Sequence, residues 1–196
     1  MTRPAKPVWL LDIDGVINAL ARGPVERSWP ADCWVQRVVT ADIPNAGRMV
    51  LPIFAAQPVL DFVARVVASG LADVVWHSTW RAAAVTDLAP MLNLPAIPIS
   101  IAPEWTERPE RLWWKLPAAQ RVVASGRPLV WTDDDIAVLP DQVADLDARP
   151  DTLLISPDPN AGLTAAHLDA IADFVGLDAA EGQGSRRSLF ARRRRA

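Results

Sequence analysis

The sequence predicts an α/β fold in which a central parallel β-sheet is covered by helices on both faces. Three observations predict it. Short apolar runs alternate with amphipathic stretches along the chain, which is the rhythm of strand and crossover helix. The runs are almost continuously hydrophobic, as strands buried on both faces are. Several of them end in carboxylates or hydroxyls, which sets reactive groups along the edge where open α/β sheets bind ligands.

In chain order, "PVWLLD" at 7–12 is the first strand. Residues 19–57 then interrupt the alternation. Within them "CWVQRVVTAD" and "GRMVLPIF" flank "IPNAG", which reads as a β-hairpin with Asn45 and Gly47 at its turn. An insert placed directly after the first strand overhangs that strand's carboxyl end, so it is a candidate flap over a site. A helix is expected at 58–69, then the strand "ADVVWHS" at 72–78, a helix at 80–91 and the strand "AIPIS" at 96–100. A helix at 109–125, the strand "PLVWTD" at 128–133, a helix at 141–147 and the strand "TLLIS" at 152–156 follow. The closing helix spans 164–175, with Thr164 as its N-cap and Gly176 as its stop.

Composition narrows what such a fold can do. The 196 residues suffice for one domain with a sizeable core, expected over 1–180 ahead of a basic tail at 181–196. Six of the twenty Lys and Arg fall in the last eleven residues, and the rest of the chain carries 14 basic against 23 acidic residues. That tail reads as a solvated end or as a contact for nucleic acid or an acidic surface. Cys33 is the single cysteine and the two histidines, His77 and His167, lie far apart. Intramolecular disulfides and cysteine or paired-histidine metal sites are thereby excluded. No apolar run reaches the roughly 20 residues of a membrane span, and the first residues lack the apolar segment of a secretory leader. A cytoplasmic protein with no membrane contact is expected. Nothing in the sequence sets an oligomeric state.

The strand ends carry the chemistry. Asp12 and Asp14 close the first, Ser78 and Thr79 the second, and Asp133, Asp134 and Asp135 the fourth. A parallel sheet brings these ends to one crevice. Clustered carboxylates repel and are costly when partly buried unless a cation sits among them. All-oxygen donors select a hard ion, Mg²⁺ before Ca²⁺, and Mg²⁺ commonly works beside a phosphate. Phosphoryl transfer is the chemistry suggested.

"LLDIDGVIN" resembles the first motif of the haloacid dehalogenase (HAD) superfamily, a hydrophobic strand followed by D-x-D-G-[TV]. "VVWHSTW", "ERLWWKLPAAQ" and "PLVWTDDD" follow in the order of that superfamily's remaining motifs: a hydroxyl ending the second strand, a lysine on the helix before the fourth, and an acidic pair ending the fourth. The resemblance covers about residues 6–177. "VVWHSTWR", "LVWTDDD" and "LLISPDPNAGLTAAHLDAIADFV" are similar more narrowly to small HAD-like domains akin to those of bacterial RNA-repair proteins.

The resemblance implies a three-layer Rossmann-like HAD core with the hairpin as a small flap and no large cap domain. It implies Asp12 as nucleophile, and Asp14 as the group that protonates the leaving oxygen and later activates water, with its backbone carbonyl on the metal. Ser78 would donate its hydroxyl to a phosphoryl oxygen, with Thr79 as the rival for that role. Lys115, which no lysine follows, would hold nucleophile and phosphoryl charge together. Arg81, Arg108 and Arg111 are alternatives to it or contacts for substrate phosphate, and Gly15, Ser78, Thr79 and Arg81 make up the substrate side. The metal set would be Asp12, Asp14, Asp133 and Asp134, with Asp135 the competitor for the second acidic place. His77, one residue before Ser78, should point away from the site, while Trp80 and Arg81 are candidates to face substrate. The function implied is a Mg²⁺-dependent phosphohydrolase acting through an aspartyl-phosphate on a phosphorylated small molecule or nucleic-acid end. The competing readings are an enzyme dedicated to nucleic-acid ends and a HAD-like module without catalysis.

Overall fold

A computed structural model describes residues 5–21, 28–44, 46–100 and 114–178. The basic tail, Asn45, Arg108, Arg111 and the first part of the helix expected at 109–125 lie outside the described residues. Four parallel strands form the sheet: β1 (Val8–Leu11), β4 (Asp73–Trp76), β5 (Leu129–Thr132) and β6 (Thr152–Ile155), in the order β4-β1-β5-β6. Two more, β2 (Trp34–Ile43) and β3 (Gly47–Ala56), pair antiparallel as the hairpin expected from the sequence. Gly47 supplies the positive φ of 74° at its turn.

Alternation along β1 divides the core into two. Trp9 and Leu11 point into a cluster with Val59, Phe62 and Val63 of α1 (Gln57–Ser69) and with Leu168 and Ile171 of the last helix. Val8 and Leu10 point to the opposite face, against Leu116 and Ala119 of one helix and Val143 and Leu146 of another. The result is helix, sheet, helix, the three layers expected. The hairpin is built into this frame: Val39, Ala41, Ile53 and Ala55 on one of its faces are buried in the first cluster. Its other face turns outward, with Val38 58% and Val50 68% exposed.

Three expectations need correction. Residues 96–100 run beside β4 and exchange Trp76 N–H to Pro98 O and Ser100 N–H to Trp76 O, both 2.8 Å, but they form only an isolated bridge at Ile99. Pro98 removes a donor from the segment and Pro95 another just ahead of it, and a ladder cannot extend through them. The helix expected at 80–91 starts later, because Arg81 sits at φ +51°. It continues as a wide π turn (Ala84–Leu88) before the single turn α2 (Ala89–Met91), where Pro90 has no N–H to give an ordinary α bond. Lys115 is not inside a helix. It stands at the N-cap of α3 (Leu116–Ala124). The remaining helices, α4 (Pro140–Asp147) and α5 (Ala165–Val175), fall where the sequence puts them. The α5 helix starts after Thr164, whose N–H donates to His167 Nδ1 at 3.2 Å, and stops at Gly176 in the left-handed region. Among the described residues no helix is long and apolar enough to cross a membrane.

Candidate active site

Register places the site. Leu11 of β1 stands opposite Trp76 of β4 and Thr132 of β5, so one step further along the chain Asp12, His77 and Asp133 leave the sheet side by side. Asp12 N–H still donates to Thr132 O and Asp133 N–H to Ile155 O, each at 3.1 Å. Both carboxylates are therefore anchored by the last rungs of the ladder.

Lys115 enters from the start of α3 and fills the gap between them. Its Nζ donates to Asp12 Oδ2 at 2.5 Å and to Asp133 Oδ2 at 2.6 Å, and all three side chains are buried. The outer carboxylate oxygens are held by the backbone, Asp12 Oδ1 by Ile13 N–H at 2.8 Å and Asp133 Oδ1 by Asp135 N–H at 3.2 Å. Asp134 completes the group: Asp12, Asp133 and Asp134 each present a carboxylate oxygen within 4.8 Å of the other two. Gly15 turns at φ +72° against this third carboxylate, and a Cβ on it would fall 2.4 Å from Asp134 Cγ. Only glycine permits that approach.

The electrostatics follow from three acids around one base. Burial pushes the Asp133 carboxyl up to about 8, with the Asp12 charge adding to it, and raises Asp134 to about 6. Burial raises Asp12 as well, against the pull of Lys115. Desolvation works against the Lys115 ammonium, yet Asp12 and Asp133 outweigh it and hold it up at about 12. The cluster is short of positive charge, and its donors are all oxygen, so a hard divalent cation fits it. The Ser78 hydroxyl is buried beside Asp12 and bears on its pKa, but it holds no hydrogen bond of ordinary geometry. A buried hydroxyl held this loosely can turn to an incoming acceptor.

Asp14 lies apart from this cluster. Its half-buried carboxylate accepts from Asn18 Nδ2 at 2.7 Å and from Trp80 Nε1 at 2.8 Å. Asn18 in turn accepts from Phe54 N–H at 2.9 Å, which ties Asp14 to the hairpin. Trp80, a candidate to face substrate, is instead buried with its N–H committed to Asp14. Thr79 is exposed. Arg81 is half-buried and lays its guanidinium over the Trp114 ring, 4.5 Å from the centroid, next to Lys115.

His77 points away from the carboxylates into the second face of the sheet. Burial pushes its pKa down to about 3, so the ring is neutral. A carbonyl can only accept, so Nε2 carries the proton toward Lys115 O at 3.0 Å, and Nδ1 accepts from Ser100 Oγ at 2.6 Å. This ring holds the backbone at Lys115 in place, and Asn18 and Trp80 hold Asp14. All three stand inside the quoted motif stretches, but the sequence does not assign them these supporting roles. The signal for Asn18 was its place four residues after Asp14, where a turn brings the two side chains together.

The model of one protein family, described as the HAD domain in Swiss Army Knife RNA repair proteins, matches residues 8–168. No curated protein and no solved structure matches the chain.

Proposed function

This chain belongs to the family of HAD domains in Swiss Army Knife RNA repair proteins, and from that premise we propose that it is a Mg²⁺-dependent phosphohydrolase acting through an aspartyl-phosphate on Asp12. The observation that carries this reading is Lys115 bridging the buried carboxylates of Asp12 and Asp133, with Asp134 close by and the Ser78 hydroxyl buried beside Asp12. A buried cluster of that balance is costly unless positive charge and a ligand complete it.

The carboxylates of Asp12, Asp133 and Asp134, with the backbone carbonyl of Asp14, would hold the ion. When bound it supplies positive charge between these carboxylates and the phosphoryl oxygens. In the first step an Asp12 oxygen attacks phosphorus, the bond from phosphorus to the leaving oxygen breaks, and Asp14 gives that oxygen a proton. In the second, water attacks the phosphorus of the aspartyl-phosphate and passes a proton to Asp14. The bond to Asp12 breaks, and phosphate leaves. Lys115 pulls Asp12 toward its ionised form and offsets the charge of the phosphoryl group, while the Ser78 hydroxyl donates to one of its oxygens. Asn18 and Trp80 hold the Asp14 carboxyl in position for its two proton transfers.

The family's occurrence in RNA repair proteins favours a phosphorylated nucleic-acid end as substrate over a phosphorylated metabolite. Hydrolysis of an aryl phosphate, with and without Mg²⁺, tests the reaction: Asp12→Asn is expected to lose about 10³-fold or more. Equal rates for the two proteins would overturn it. A panel of phosphorylated metabolites, nucleotides and 3′- or 5′-phosphorylated oligonucleotides tests the substrate class.

A further inference from the structure

On the hairpin side of Asp14 the chain encloses a cavity of about 460 Å³, lined among others by Asn18, Leu20, Gln36, Pro52, Ile53 and Phe54. Asn18 belongs both to this cavity and to the catalytic group, since its amide donates to Asp14 Oδ1 at 2.7 Å. In the reaction proposed above, Asp14 protonates the leaving oxygen. The portion of substrate that carries that oxygen is therefore released one side chain away from the cavity.

The walls say what that portion is. Phe54 stacks on Trp34 with centroids 4.4 Å apart and planes 6° from parallel. Phe54 lines the cavity and Trp34 is not among the described lining residues. Gln36 stands directly across the ladder from Phe54. It is exposed, and its side-chain amide takes part in none of the hydrogen bonds of the described residues. Leu20 and Pro52 add apolar surface, and no described residue of the lining carries a charge. A second phosphate or a charged peptide side chain would find no counter-charge among the described lining residues. A neutral, flat heterocycle with a hydrogen-bonding edge would find a ring to pack on and an amide to pair with, in a volume suited to one such group.

We propose that this cavity is a leaving-group subsite for the unpaired terminal nucleobase of a single-stranded nucleic-acid end, packed on Phe54 and read by the Gln36 amide. The proposal rests on the phosphohydrolase reading for the direction of the leaving group, and its test separates the two. Wild type, Gln36→Ala and Phe54→Leu are compared on single-stranded oligoribonucleotides with a 3′- or a 5′-phosphate. Each is made with an ordinary or an abasic terminal residue, and acetyl phosphate serves as a substrate too small to reach the cavity. Wild type is expected to prefer the base-bearing end by about 10-fold in kcat/KM, and Phe54→Leu to bring that preference close to one. Gln36→Ala, at an exposed position, is expected to lower it by a few fold. The ratio of oligonucleotide to acetyl phosphate activity should fall in parallel.

Binding of fluorescently labelled, unphosphorylated oligoribonucleotides to the Asp12→Asn protein gives a readout that needs no turnover. Base-dependent binding that Phe54→Leu abolishes, with no hydrolysis by wild type, would keep the subsite and remove the phosphohydrolase. Hydrolysis that is equal for base-bearing and abasic ends would keep the enzyme and overturn the subsite. Loss of acetyl phosphate and oligonucleotide activity in equal measure in both variants would also overturn it, reducing these residues to support for the hairpin.

Discussion

The strands β4, β1 and β5 carry charged clusters at both ends, and the two clusters are balanced in opposite ways. At their starts, Asp73 lies between two cations, with Lys6 Nζ 2.6 Å from one carboxylate oxygen and Arg127 Nη2 2.5 Å from the other. Arg127 also donates through Nε to Lys6 O at 2.9 Å. These side chains are partly exposed, and the Lys6 hydrogen bond, helped by Arg127, lowers the Asp73 pKa. At the opposite ends three carboxylates surround one buried ammonium, and the pKa values of Asp12, Asp133 and Asp134 go up. Both clusters pair aspartate with lysine, and the first adds Arg127. What differs is the count of cations and the access of water, so the first cluster is complete as it stands and the second calls for charge from outside.

Removing a lysine from each end breaks the comparison most strongly. Lys115→Met leaves Asp12 and Asp133 buried together without compensation and is expected to cost about 3–5 kcal/mol of stability. Lys6→Met removes a half-exposed partner that Arg127 still backs and should cost less than about 1 kcal/mol. Urea unfolding of the metal-free proteins measures both. Comparable losses would mean that the buried cluster is not under the strain ascribed to it.

The second test uses pH, where the two ends have opposite signs. Asp133 and Asp134 have folded pKa values, about 8 and about 6, above the unfolded value of 3.8. The folded chain then holds more protons than the unfolded chain between about pH 4 and pH 8, and stability falls as pH rises through that window. Asp73, with its lowered pKa, contributes stability above the unfolded value that is lost as pH falls through the folded one. Buried His77, with its pKa pushed down to about 3, pulls the other way below its unfolded value of 6.5, so the metal-free Tm should decline from pH 7 to pH 8. Mg²⁺ should offset the decline, most at pH 8 where its ligands are ionised. A metal-free Tm that climbs over this range would contradict the raised values.

The two ends also differ in how they read in the sequence. Asp12, Asp14, Ser78 and Asp133 are legible because each follows an apolar run, and a parallel sheet has only one way to gather such ends. Lys115 was legible as the lysine that the resemblance requires, though not as an N-cap residue. Asp73 begins a strand and Lys6 and Arg127 lie just ahead of two others, where charges are common, and nothing in their spacing says that they meet. The left-handed turn at Arg81 and the loss of a strand at 96–100 depend on where prolines and tight turns fall against neighbouring chain. The outward aromatic pair Trp34 and Phe54 required the register of the hairpin, which its turn sets and its composition does not.

Asp14 offers the finest test, because it belongs to the functional end of the strands and yet is held by neutral donors, outside the carboxylate cluster. Trp80→Phe keeps the ring and removes the N–H that Asp14 Oδ2 accepts. If Asp14 acts as proton donor to the leaving oxygen, the variant should lose about 10-fold in kcat on an alkyl or nucleoside phosphate, whose leaving group needs the proton. It should lose much less on an aryl phosphate, whose leaving group departs more readily without one. The Mg²⁺ concentration for half activity should not move, since the indole N–H donates to Asp14, outside the cluster of Asp12, Asp133 and Asp134. An equal loss on both substrates, or a shift in Mg²⁺ dependence, would mean that Trp80 supports the whole cluster. The two roles drawn for Asp12 and Asp14, nucleophile in the charged group and proton carrier beside it, would then have to be redrawn.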